Sequence, residues 1–67
     1  MLTKRKFEIL ALLCKGLSNK EIAKTLNLSP QTVKVHLSEI FRELNVKTRL
    51  SAVLEAQKRG FFDKTRG

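Results

Sequence analysis

The stretch NLSPQTVKVHLSEIF, Asn27 to Phe41, holds a proline and two closely spaced valines, yet its apolar residues recur at helical spacing. The proline becomes an ally once Ser29 is read as an N-cap. Pro30 then occupies the first helical position, where its missing N–H would have had no partner and its fixed φ already suits a helix. Advancing by about 100° per residue puts Val33, Leu37, Ile40, Phe41 and Leu44 on one arc, the expected core face. Gln31, Lys34, Val35, Ser38 and Arg42 fall on nearly the opposite arc. That outer arc carries no acid, since Glu39 and Glu43 lie toward its flank. Two cations, small polar groups and one stiff apolar side chain suit a DNA major groove, where phosphates, base edges and thymine methyls must all be met. An ordinary solvated surface also accommodates such a face.

Upstream, Ser18 and Glu21 have the spacing of a capping box, which predicts a helix over 19–26, NKEIAKTL, burying Ile22, Ala23 and Leu26. Only Asn27 and Leu28 separate this helix from the Ser29 cap, so the two helices must cross steeply with Leu28 folded inward, the spacing of a helix-turn-helix. Thr3 is placed to cap a first helix over 4–15 that presents Ile9, Leu10, Leu13 and Leu17 and stops at Gly16. Downstream, the 30–44 helix is expected to end at Asn45, a residue that tolerates the left-handed conformation. Thr48 then caps a fourth helix over 49–59, closed by Gly60. On it Leu50, Val53 and Leu54, with Phe61 beyond, share an arc expected to cover the core; Ala52 and Ala56 lie on another face, where small side chains would let a second copy approach.

The expected architecture is thus all-α: a single domain spanning 1–67, a compact four-helix bundle containing a helix-turn-helix. Sixty-seven residues leave no room for an enzyme with a deep pocket. With 14 Lys+Arg against 6 Asp+Glu the net charge is +8, which points to a polyanionic partner, nucleic acid first and an anionic membrane second. A single cysteine and a single histidine cannot form an internal disulfide or supply a four-ligand zinc site, so neither a metal nor any other cofactor is expected. No apolar run approaches the ~20 residues that span a bilayer, no signal-peptide core is present, and neither tryptophan nor tyrosine is available as an interfacial anchor. A cytoplasmic protein without a small-molecule ligand is the expectation.

Laid out in this way, the segments LTKRKFEIL, GLSNKEIAKTLNLSPQTVKVHLSEIF and ELNVKTRLSAV resemble, in order and spacing, the C-terminal DNA-binding domain of the LuxR/GerE family of bacterial transcription regulators. The likeness covers about residues 2–54. It implies sequence-specific binding of double-stranded DNA, with helix 30–44 in the major groove and the fourth helix used for dimerisation on repeated half-sites. Carried over position by position, it implies base contacts from Lys34, Val35 and Ser38, and the outward arc adds Gln31. Phosphate contacts are implied for Thr32, Lys47, Thr48 and Arg49, and for Asn19 and Lys20 at the amino end of the second helix, where orphan amides and the helix dipole also attract anions. Arg42, on the outward arc, is a further phosphate candidate. His36 also matches the family pattern, at an angle between core and groove, and reads as a partly buried structural or phosphate-touching residue.

Two departures stand out, with a third at Ser38, where relatives can carry larger groups. The family usually has glutamate where this chain has Lys6, which falls amid the apolar arc of the first helix and must extend its ammonium outward; pairing with a neighbouring helix is left open. Asn45 stands where glycine is usual. Family members mostly carry an N-terminal sensory or phosphoacceptor domain, so an effector domain is the expected role here, with RNA polymerase as a further partner. Two other readings remain at this point. A sigma-factor promoter-reading domain shares the EIA…L…S…TV skeleton, although the capped fourth helix argues against it. A protein-interaction module could also retain the fold without binding DNA.

Overall fold

The structure is a computed structural model that describes residues 2–62, and these form four helices: α1 (Lys4–Cys14), α2 (Asn19–Leu26), α3 (Pro30–Leu44) and α4 (Arg49–Lys58). α2 and α3 have the expected bounds. α1 and α4 each end one residue early, because Lys15 and Arg59 act as C-caps. Residues 63–67 and Met1, part of the expected 1–67 domain, lie outside the described residues.

Every helix starts on a hydroxyl. Thr3, Ser18, Ser29 and Thr48 accept hydrogen bonds from the backbone N–H of Lys6, Glu21, Thr32 and Ser51, and Glu21 Oε1 in turn accepts from the Ser18 N–H at 2.8 Å, which completes the capping box. The four helices also stop alike. Gly16, Asn27, Asn45 and Gly60 take positive φ (91°, 59°, 58° and 71°), and each next residue donates its N–H five residues back: Leu17 to Leu12, Leu28 to Ala23, Val46 to Phe41 and Phe61 to Ala56. This closure folds Leu17, Leu28, Val46 and Phe61 against the core, which is why an apolar residue follows each stop. Leu28 is half-buried, as the short α2–α3 turn requires. A Cβ at Gly16 or Gly60 would meet no atom within 4 Å, so the demand there is conformational and not steric.

The core is built from Ile9, Leu10 and Leu13 of α1, Ile22 and Ala23 of α2, Val33, Leu37, Ile40 and Leu44 of α3, and Ala52 and Ala56 of α4. The faces expected for α1, α2 and α3 are the buried ones, with Leu17, Leu26 and Phe41 half-buried at the edge. α1 and α3 pack on each other and on both remaining helices, whereas α2 and α4 do not pack together. An edge-to-face cluster of Phe7, Phe61 and Phe62, with centroids 5.1 to 6.1 Å apart, closes the end where α1 begins and the chain leaves α4.

The rotation of α4 differs from expectation. Ala52 and Ala56 are 0% exposed in the core of the monomer, so they cannot form the surface of a dimer, and Leu50 and Leu54, expected inside, are 68% and 55% exposed. The apolar residues of this short helix occupy more than one arc, so periodicity does not choose among them. What chooses is proximity: alanine lets the α4 backbone come close to α1 and α3, while the capped start at Thr48 and the Gly60–Phe61 stop hold both ends.

Lys6 resolves the question left by its position on the apolar arc. Its Nζ lies 2.7 Å from Glu43 Oε2 and 3.4 Å from Glu39 Oε1, so α1 and α3 are joined by ion pairs at the edge of the core. The hydrogen bond to Glu43 raises the Lys6 amine above its ordinary value, and the same bond holds the Glu43 carboxyl below its own. Stability from Glu43 is therefore present above pH 4.5 and is lost as pH falls through its depressed folded value. Stability from Lys6 is complete below pH 10.5 and is lost as pH rises through the raised value, so the pair is intact across the neutral range. Lys6→Glu is expected to lower the melting temperature at pH 7 by setting three carboxylates together, and adding Glu43→Lys should recover most of the loss. Equal melting temperatures for the single variant and the parent would remove the pair from the account of stability.

Candidate nucleic-acid interface

The outward face of α3 is a direct consequence of which residues α3 buries. With Val33, Leu37, Ile40 and Leu44 inside, Gln31, Lys34, Val35, Ser38 and Arg42 are all exposed, and Val35 retains 47% of its surface. Their neighbours on the flank reinforce the charge of this face: Glu39 and Glu43 are drawn toward Lys6, which compensates them. The outer arc is left cationic. Lys34 and Arg42 provide its charge, Gln31 and Ser38 its hydrogen-bonding groups and Val35 its methyls.

Ser38 Oγ donates to the Lys34 carbonyl oxygen, 3.1 Å away, so its lone pairs face outward and can accept. Thr32 Oγ1 lies 2.8 Å from Ser29 Oγ at the amino end of α3 and remains exposed, as do Lys20, Lys47 and Thr48. Thr48 Oγ1 donates to Ser51 Oγ at 2.8 Å. His36 is half-buried at the angle expected for it. Its Nδ1 is buried without a hydrogen-bond partner, 3.7 Å from Glu39 Oε1.

Arg49 departs from the simple picture of a free phosphate-binding cation. Its Nη1 donates to Asn19 Oδ1 at 2.9 Å and its Nη2 donates to the Leu17 carbonyl oxygen at 2.6 Å, so the start of α4 is tied to the start of α2. Thirty residues separate Arg49 from Asn19 in the chain, and no local pattern announces this contact. The same is true of the exposed Leu50 and Leu54, whose outward position follows only from the packing of α4.

Among the described residues no group of three or more His, Cys, Asp or Glu side chains is placed to hold a metal ion, and no helix is long and apolar enough to cross a membrane. Burial pushes the Cys14 thiol up, away from the thiolate form that a nucleophile requires.

The family model described as bacterial regulatory proteins, luxR family, matches residues 1–56. The chain belongs to this family. Among curated relatives, the nitrate/nitrite response regulator protein NarP of Escherichia coli (strain K12) is 51% identical over 61 residues, which is 90% of this chain and 28% of NarP. The response regulator protein VraR of Staphylococcus aureus (strain Mu3 / ATCC 700698) is 48% identical over 84% of this chain and 27% of its own length. Two solved structures share the arrangement. The transcription factor GerE has a TM-score of 0.80 at 39% identity, with 88% of each chain covered. A chain in the crystal structure of the anti-activator RapF complexed with the response regulator ComA DNA binding domain has a TM-score of 0.83 at 44% identity, covering 85% of this chain and 98% of that one. This chain therefore spans a little over a quarter of its curated response-regulator relatives and nearly all of the matched domain-sized chains. Within the luxR family it is a helix-turn-helix DNA-binding domain of the kind found in transcription regulators, and not an enzyme.

Proposed function

We propose that the domain reads a specific sequence in double-stranded DNA by laying α3 in the major groove, and that it does so as a homodimer on repeated half-sites. The acid-free, exposed face of α3 carries this reading. Lys34 reaches a base-edge acceptor, Val35 packs on a thymine methyl, Ser38 accepts from an amino group, and Gln31 contacts a base edge near the amino end of the helix. Phosphates are gripped by Asn19, Lys20, Lys47 and Thr48 at the joined amino ends of α2 and α4, and by Thr32 and Arg42 along α3. The compartment is the cytoplasm, where the operator and RNA polymerase would be met.

The second copy docks on the outward side of α4, through Leu50 and Leu54 in place of Ala52 and Ala56. These two leucines stand one helical turn apart and are the most exposed large apolar side chains among the described residues. A two-fold contact there would set the half-site centres about one turn of DNA apart. Leu50→Asp with Leu54→Asp is expected to leave the melting temperature nearly unchanged and to reduce affinity for a two-half-site operator by about 10- to 100-fold, the avidity of the second copy, with single half-site binding intact. Gel-shift titration on operators with one and two half-sites measures this. Unchanged affinity on both would move the dimer contact elsewhere.

Selection of bound duplexes from a random DNA pool, followed by titration of winners and bulk DNA at two salt concentrations, tests the whole reading. A repeated short motif is the expected result, with log affinity falling against log salt by about 0.9 for each phosphate neutralised. Steep salt dependence without a motif would mean nonspecific binding. Absence of binding would favour a protein-interaction role, for which the ComA DNA binding domain, solved in complex with RapF, is a precedent among the similar structures.

A further inference from the structure

We infer that Arg49 is a positioning residue that acts on DNA phosphate through Asn19. The inference rests on the DNA-binding reading above. α2 and α4 do not pack against each other, so the Arg49 side chain is what couples their amino ends. Arginine can only donate, and Asn19 Oδ1 must therefore face it; the planar amide then turns Nδ2 and its two N–H donors to the opposite side. Nδ2 donates to no group among the described residues, while Asn19 is the first residue of α2, where the unpaired backbone N–H groups emerge. One hydrogen bond thus decides which end of the amide a phosphate would meet. Without it the amide can rotate by half a turn and present its carbonyl oxygen, which repels phosphate.

The second bond makes the brace rigid. Donation from Nη2 to the Leu17 carbonyl oxygen, just before the Ser18 cap, fixes the guanidinium plane with two donors from different nitrogens. A lysine ammonium at this position keeps the positive charge but cannot span both acceptors in the same fixed geometry. Lys20 on α2 and Lys47 and Thr48 before α4 are carried by the two ends that the brace joins, so they come to the DNA backbone as one surface.

Arg49→Lys, Asn19→Ala and the double variant, titrated against operator and bulk DNA, separate positioning from simple charge. Arg49→Lys should fold normally and bind both DNAs about fivefold to tenfold more weakly. Asn19→Ala should cost about as much in the parent and less than about twofold in the Arg49→Lys background. In the free protein, the two Asn19 side-chain amide proton resonances should move toward free-amide values on Arg49→Lys. Unchanged affinity for Arg49→Lys, an undiminished Asn19→Ala effect in its background, or unmoved Asn19 resonances would each overturn the inference while leaving DNA binding in place. A parent chain that binds no DNA would overturn both.

Discussion

Val33→Asp is expected to leave the chain unfolded at room temperature. Val33 is fully buried on the inner face of α3, against a core to which all four helices contribute. Replacing it removes apolar burial of about 1.5 kcal/mol or more and places a carboxylate among Ile, Leu and Val side chains, which costs several kcal/mol even after the group neutralises. Single cores below about 80 residues rarely provide more than ~3–5 kcal/mol, so the loss exceeds what this fold can absorb. Far-ultraviolet circular dichroism and thermal melting measure it directly. A cooperative melt within a few degrees of the parent would mean that the inner and outer faces of α3 are inverted, and the proposed DNA surface with them.

Lys34→Ala is the counterpart on the outer face, with an effect on binding in place of folding. The side chain is exposed and forms no ion pair or side-chain hydrogen bond among the described residues, so the melting temperature should stay within a degree or two of the parent. Affinity for the selected operator should fall by about 1–3 kcal/mol, and discrimination at one base pair should relax, because a donor to a base edge is lost. Titration on the operator and on variants of each base pair reads both effects. An equal loss on every sequence would reassign Lys34 to the phosphate backbone.

The two substitutions differ by one position in the chain, yet one falls on the buried arc of α3 and the other outside it, a distinction that was legible in the sequence. α3 is fifteen residues long, and all its large apolar residues except Val35 follow a single stripe through four turns, so the pattern has only one consistent solution. The caps were legible for a related reason. Ser18 with Glu21, Ser29 with Pro30, and Thr48 act through bonds three residues away, and such short-range geometry is written in local order. The positive φ of Asn27 was less visible than that of Asn45, since the brevity of the turn was clear but not which residue would take the left-handed conformation. Lys6 looked like a cation stranded on an apolar arc until its partners on α3 were known.

α4 marks where local order runs out. Its ten residues place leucine, valine and alanine on more than one arc, and both the alanine face and the leucine face are consistent with a helix. The choice was made by how closely α4 approaches α1 and α3, a property of the assembled core that favours small side chains at the contact. The consequence for function is direct, since it transfers the proposed dimer surface from Ala52 and Ala56 to Leu50 and Leu54.

By itself, the sequence determined the number of helices, their caps and three of the four stops, the inner and outer faces of α3, and through these a cationic helix-turn-helix of the luxR family. All of these depend on interactions within a few residues or on periodicity within one long helix. Only the tertiary structure decided the rotation of α4, the partners of Lys6 and the brace from Arg49 to Asn19 and Leu17, because each is a contact between different elements whose distance is set by packing and not by order along the chain.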